Sequence, residues 1–174
     1  MRQVVFTRQR MFVVTKDGKL YTFLIKEKAP SREELMFAKG KPRYTGDLMI
    51  DNPIHVKEAK KIKMAAAGVD HLCLLDQDGE VWAMGDDTFG QCGQTAENRQ
   101  KVAPFFEVRH RTPQKVIIPH KVKKIVSGHR HTLAVTENGL LFGWGFNSMQ
   151  QLSNADSYAD PDNPQHAIFE PSII

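Results

Sequence analysis

An all-β chain of about three stacked repeats is the fold class this sequence predicts, and three observations carry it. Gly18, Gly79 and Gly139 stand 61 and 60 positions apart, and each follows Asp or Asn. Each leads into an alternating strand: Lys19-Leu20-Tyr21-Thr22-Phe23, Glu80-Val81-Trp82-Ala83-Met84 and Leu140-Leu141-Phe142-Gly143-Trp144. Upstream the second and third copies still agree, with Gly68 and Gly128 eleven residues before the anchor glycine and His71 and His131 eight before it. Self-similarity at one period is the signature of a repeat architecture and outranks any local reading.

An Asp-Gly or Asn-Gly pair between short β-rich runs is the strongest local hairpin signal, and it predicts a type I′ turn with positive φ at both centre positions. A hairpin cannot bury its apolar face alone, so the units must stack. Strands at this spacing, punctuated by glycine and aromatic residues, suggest the blades of a β-propeller. The chain divides as one array into residues 1–56, 57–118 and 119–174. The first copy is degenerate: it keeps Asp17-Gly18 and the strand that follows, but Thr7 replaces the glycine and Arg10 the histidine. Arg2, Arg8 and Arg10 with no acid in the first fourteen residues could be read as a targeting signal; the repeat frame favours a strand.

Two stretches break the pattern. Between Phe23 and Ile50, Ser31 and Glu34 form a capping box ahead of Leu35-Met36-Phe37, with Gly40 and Pro42 as stop signals. A short helix over 32–39 is expected, its apolar residues either packing on a blade or anchoring a partner. Between Asn98 and Thr112, Phe105-Phe106 precede Arg109-His110-Arg111, either plugging a hole between blades or pairing an aromatic anchor with electrostatic steering.

The second and third copies resemble the repeat of the regulator of chromosome condensation family, G-x-x-H-x-x-x-L, a hairpin, then W-G-x-N-x-x-G-Q-L-G. The second holds the pattern at Gly68, His71, Gly79, Val81, Trp82, Gly85, Gly90, Gln91 and Gly93, with Asp87 in place of Asn and Cys92 in place of Leu. The third holds it at Gly128, His131, Gly139, Trp144, Gly145, Asn147, Gln151 and Leu152, with Gln150 and Ser153 in place of glycines. The resemblance implies a propeller that usually closes as a ring of seven blades, whereas three are visible here. An open arc would have bare faces needing cover from the rest of a longer protein, a second polypeptide or a large assembly. Residues 112–117 and 169–174 read as strands that open the following repeat. The recurring histidines read as structural, satisfying backbone groups near the inner strands. Trp82 and Trp144 read as fillers between blades.

With 41% hydrophobic and 25% charged residues the chain has the make-up of a globular domain. Cys73 and Cys92 alone build neither a disulfide framework nor a zinc module, so an intracellular setting is expected, its compartment left open. No apolar run approaches the roughly 20 residues that span a bilayer. Charge is uneven: Arg109, Arg111, Lys115, Lys121, Lys123, Lys124 and Arg130 occur with no acid among them, and after Arg130 only acids follow. Such a stripe attracts nucleic acid or an acidic protein surface, or else simply faces solvent.

No constellation for chemistry holds. The glycines from Gly85 to Gly93 lack a phosphate-binding lysine. His129 and His131 are two ligands where a structural metal site needs more. Ser127, His131 and Asp78 have no nucleophile elbow around them. No catalytic residue, cofactor or metal is expected. The leading reading is a non-enzymatic interaction or structural module whose partners are protein chains covering the open propeller. Two alternatives remain: guanine-nucleotide exchange on a small GTPase, for which no wedge loop can be matched, and nucleic-acid or chromatin binding through the basic stripe.

Overall fold

The computed structural model describes residues 2–27, 48–102, 108–152 and 166–174. They form three antiparallel sheets that follow one another along the chain. The first contains β1 (Gln3–Phe6), β2 (Arg10–Val14), β3 (Leu20–Glu27) and β5 (Ile54–His55), with β4 (Leu48–Ile50) pairing the far end of β3. The second contains β6 (Ile62–Ala67), β7 (His71–Asp76), β8 (Val81–Asp86) and β9 (Arg109–Val116). The third contains β10 (Val122–Ser127), β11 (His131–Thr136), β12 (Leu141–Phe146) and β13 (Ala167–Ile173). One short helix, α1 (Ala96–Val102), lies between β8 and β9. The helix expected over 32–39, with Leu35, Met36 and Phe37, and the Phe105-Phe106 pair lie outside the described residues.

The sheets stack as blades, with β1, β6 and β10 side by side along one edge of the stack. All six residues of β7 are buried because this strand is covered on both sides. Leu72 and Leu74 pack with Phe12, Val14 and Leu20 of the first blade, whereas Cys73 and Leu75 pack with Val122, Ile125 and Ala134 of the third. Burial on both faces explains why β7 reads as a continuous apolar run instead of alternating.

The structure corrects two expectations. Residues 112–117 and 169–174 do not open a following repeat: β9 and β13 are the outermost strands of their own blades, paired with β8 and β12. Each carries a proline, Pro113 and Pro171, beside a register shift, and an outermost strand tolerates the missing N–H there.

The hairpins are also not type I′. Asp76 N–H donates to Glu80 O and Gly79 N–H to Asp76 O, and the same pair of bonds recurs from Thr15 to Lys19 and from Thr136 to Leu140. Only the glycines have positive φ, at 78°, 77° and 86° for Gly18, Gly79 and Gly139. This is a three-residue loop closed by a glycine bulge. The side-chain oxygens of Thr15, Asp76 and Thr136 favour the wider loop by accepting the N–H four residues on, at 3.0, 2.9 and 2.9 Å.

The same turn carries the next blade. Ile62 N–H donates to Gly18 O and Val122 N–H to Gly79 O, both at 2.9 Å. A Cβ added to Gly18 would fall 2.9 Å from Lys61 Cα, and one on Gly79 would fall 3.1 Å from Lys121 Cβ, but on Gly139 it would meet nothing within 4 Å among the described residues.

Alanine at Gly18 or Gly139 bears the same left-handed backbone cost, about 1–2 kcal/mol. Only at Gly18 does the methyl also press on the neighbouring blade. Urea unfolding should therefore show Gly18→Ala to be more destabilising than Gly139→Ala by about 1 kcal/mol or more. Equal shifts would mean that these turns do not bear on blade packing.

Candidate interaction surface

The junction of the second and third blades shows how the repeat residues work. His71 is buried, with Nε2 3.0 Å from Thr132 Oγ1 of the next blade. The recurring histidine thus reaches a side-chain hydroxyl across the junction, where the sequence suggested backbone groups. Its ring lies over Gly68, so close that a Cβ there would fall 2.1 Å from His71 Cε1, and Gly128 stands in the same relation to His131. Burial pushes the His71 pKa down to about 4 and keeps the imidazole neutral. His131, half-buried, is also lowered by burial.

The glycine-rich turn after β8 fits between these blades. Gln91 O accepts Trp144 Nε1–H at 3.1 Å, and Gly93 lies against the same indole. Gly90 packs on the backbone of Phe169. Gly85 and Gly145 sit at the register shifts of β8 and β12, against the backbones of Asp70–His71 and Arg130–His131. Trp82 and Trp144 are not equivalent. In the ladders Trp82 pairs with Leu74 and Trp144 with Thr132, so Met84 is the counterpart of Trp144. Trp82 packs toward the first blade and donates its Nε1–H to Asp76 Oδ2 at 3.0 Å.

Asp87 and Asn147 hold the two turns from inside. Asp87 Oδ1 accepts Cys92 N–H at 2.8 Å, and Asn147 Oδ1 accepts Leu152 N–H at 2.9 Å. The acid at the first site has charged company. Asp87 Oδ2 lies 3.2 Å from His110 Nε2 and 3.4 Å from Arg99 Nε, and the Arg99 guanidinium covers the Phe169 ring at 3.9 Å. Sequence reasoning missed Arg99 and Thr132, and it read His110 only as part of the Arg109-His110-Arg111 run and not as the partner of Asp87. An acid where the repeat has Asn was the one available signal, since a buried carboxylate demands a cation.

The basic stripe is partly neutralised. Glu80 holds both Lys115 and Lys121, whose ammonium groups, Lys115 foremost, keep its carboxyl below the usual range. Arg130 stacks over Phe89 at 4.8 Å. Arg109 and Arg111 on β9 and Lys123 and Lys124 on β10 are exposed.

Among the described residues no three His, Cys, Asp or Glu side chains gather as a metal site, and no helix is long and apolar enough to cross a membrane. Both cysteines are buried. Burial pushes Cys73 up to about 11 and Cys92 well above its ordinary value, so neither thiol is an activated nucleophile.

The outward faces of the end blades differ from β7. Along β11, Thr132, Ala134 and Thr136 are buried toward the second blade, while His131, Leu133 and Val135 on the other face are half-buried or exposed. Along β2, Phe12 and Val14 are buried and Met11 and Val13 only half-buried.

Four-stranded antiparallel blades, stacked face to face and locked by a recurring His and glycine turn, define a module of the β-propeller class. Residues 78–135 match the regulator of chromosome condensation (RCC1) repeat, and a second model of that repeat matches 62–91 and 122–151. The chain belongs to the RCC1 repeat family. It is 36% identical over 108 residues to the X-linked retinitis pigmentosa GTPase regulator of Homo sapiens, covering 59% of this chain and 10% of that one. It is 32% identical over 99 residues to the guanine nucleotide exchange factor SRM1 of Saccharomyces cerevisiae, covering 57% and 19%. Prp20p of S. cerevisiae, a structure described with its binding properties to Gsp1p and histones, superposes with a TM-score of 0.71 at 21% identity, covering 99% of this chain and 37% of that one. The chain thus spans well under half the length of each.

Two outcomes follow from these junctions. His71 binds a proton near pH 6.5 unfolded but only near pH 4 folded, so the unfolded state holds more protons in between and stability falls as pH drops through that window. This group should remove roughly 2 kcal/mol between pH 7 and pH 5, seen as a urea-midpoint shift that His71→Gln flattens; an unchanged slope would clear His71. Cys73 and Cys92 should resist an aromatic disulfide reagent in the native protein and react on unfolding; prompt native labelling would contradict their burial.

Proposed function

We propose that this chain is a non-catalytic RCC1-type propeller module that acts as a protein-interaction or structural subunit of a larger assembly. The difference between β7 and β11 carries this reading. A strand with a blade on either side is wholly buried, whereas the outer face of the third blade shows Val126 at 45% and Val135 at 36% exposure. Among the described residues nothing lies within 4 Å of a Cβ placed on Gly139, while its counterparts at Gly18 and Gly79 are docked. Apolar faces of this kind are covered in the working state of a repeat protein.

Guanine-nucleotide exchange is the second reading. It is favoured by the likeness to SRM1 and to the retinitis pigmentosa GTPase regulator, although the chain corresponds to 19% and 10% of their lengths. Nucleic-acid binding draws less support, because Glu80 and Phe89 already engage three of the stripe's cations.

Native purification with mass measurement of the particle should find the chain in a species well above its own 19.7 kDa, with reproducible protein companions. A monodisperse 19.7 kDa species that accelerates release of labelled nucleotide from a small GTPase would replace this reading with the exchange one.

A further inference from the structure

The two blade junctions are not alike. Between the second and third blades, the turn over residues 87–93 touches Trp144, Thr132, Phe169 and Val116. One repeat earlier, the strand ladders put Met84, Leu72, Arg111 and Val56 at those four places. All four line a cavity of about 480 Å³ between the first and second blades. It therefore lies where the next junction holds a peptide turn. The first blade makes no such return among its described residues, because β3 runs straight on to Glu27 and pairs with β4.

The lining departs from its counterpart in a consistent direction. The two donors that meet Gln91 O, the Trp144 indole and the Thr132 hydroxyl, become Met84 and Leu72, so the floor is apolar and continues onto Phe12 and Val56. Arg10 stands where the other blades have His71 and His131, and among the described residues its guanidinium makes only a long 3.5 Å contact to Thr22 Oγ1. Arg109 and Arg111 join it on the wall. Glu58 and Asp70 are the acids of the lining, and Asp70 is engaged by Arg8 at 3.3 Å. A site of this size with an apolar floor and a few cationic groups suits a ligand with a matching split.

We propose that the cavity between the first and second blades binds a turn of a partner polypeptide that carries a carboxylate beside a bulky apolar side chain. Polypeptide is the occupant because the equivalent space one junction along is filled by polypeptide. The carboxylate follows from Arg10 and Arg111, whose planar forks match that group, and the apolar neighbour from the floor. This inference deepens the interaction-module reading and rests on it. Its failure would leave the particle mass untouched, so the two can be told apart.

The test is fluorescence anisotropy of the full chain with a labelled, blocked peptide of sequence Gly-Glu-Leu-Phe-Gly. Saturable binding is expected, weakened about tenfold or more when Lys replaces Glu in the probe, a difference of about 1.4 kcal/mol. Met84→Trp restores the residue of the next blade and fills the floor, and it should abolish binding. Arg111→Glu changes an exposed side chain, so it should weaken binding about tenfold with no change in the urea midpoint, and it serves as the probe of the site where Met84→Trp fails to fold. No saturable binding up to about 1 mM, a floor of ordinary interest for peptides, would overturn the proposal. Equal affinity for the Glu and Lys probes, or indifference to Arg111→Glu, would do the same. Binding seen only after Leu35→Ser and Phe37→Ser together would assign the cavity to the chain's own insertion, and that too would overturn it.

Discussion

A blade of four short strands has two apolar faces and no means of covering either by itself, so adhesion between successive blades governs this structure. Two kinds of contact supply it, and their magnitudes separate their roles. Leu72, Leu74, Cys73 and Leu75 are almost fully buried on the two sides of β7, and burial of a Leu-sized side chain is worth about 1.5–3 kcal/mol. The backbone bonds between blades, Ile62 to Gly18, Val122 to Gly79, Arg8 to Val69 and Val69 to His129, contribute about 0.5–1.5 kcal/mol each. Apolar burial therefore holds the blades together. The hydrogen bonds set their register, since they link the same position of consecutive repeats and leave a shifted stack with unpaired donors.

The recurring residues make sense as parts of that junction. The glycine after β6 leaves room for an imidazole, the imidazole reaches a hydroxyl on the next blade, and the turn after β8 folds back to support the next tryptophan. Asp87 shows how a departure from the pattern is accommodated. A carboxylate in place of Asn147's amide would be a buried charge at a cost of several kcal/mol, and His110 and Arg99 compensate it. Arg99 comes from α1, inside the longer connection of this blade, and its contact with Phe169 ties that connection to the third blade. The longer connection and the substituted acid are one local solution.

Much of this was legible in the sequence, for a physical reason. Residues of the junction motif recur at the repeat period whether or not a further blade stands against them, so Gly68, His71, Gly79, Gly128, His131 and Gly139 announce the all-β stack in the sequence itself. Three things were not legible. Asp-Gly and Asn-Gly suit both a two-residue and a three-residue hairpin, and the choice depended on the oxygen of Thr15, Asp76 or Thr136 three positions upstream. Residues 112–117 and 169–174 were read as opening a following repeat although the boundaries at 118 and 174 keep each in its own, because a strand's sequence records its alternation but not which neighbour it pairs with. The cavity between the first two blades was also hidden, since it arises from residues on both blades that only the ladders bring into one frame.

The first blade is the degenerate copy, and its departures are not scattered. Thr7, Arg10, the straight run of β3 and, across the junction, Leu72 and Met84 all bear on one space. A repeat that simply eroded would leave buried polar groups unmet wherever a partner was lost, which is costly. Here losses and gains match at most points. Thr7 Oγ1 accepts the Arg10 N–H at 3.2 Å where the other blades have Gly68 and Gly128, and the donors aimed at a turn carbonyl have become apolar side chains where no such turn lies among the described residues. Gln3 bridges both backbone groups of Ala65, at 2.7 and 2.8 Å, which fastens the inner edges of the two blades beside the changed region. The adhesive core and inner edge of this junction thus keep the family's logic, while its outer part has been rebuilt around a cavity, and a propeller can afford such freedom because register is already fixed along the inner strands.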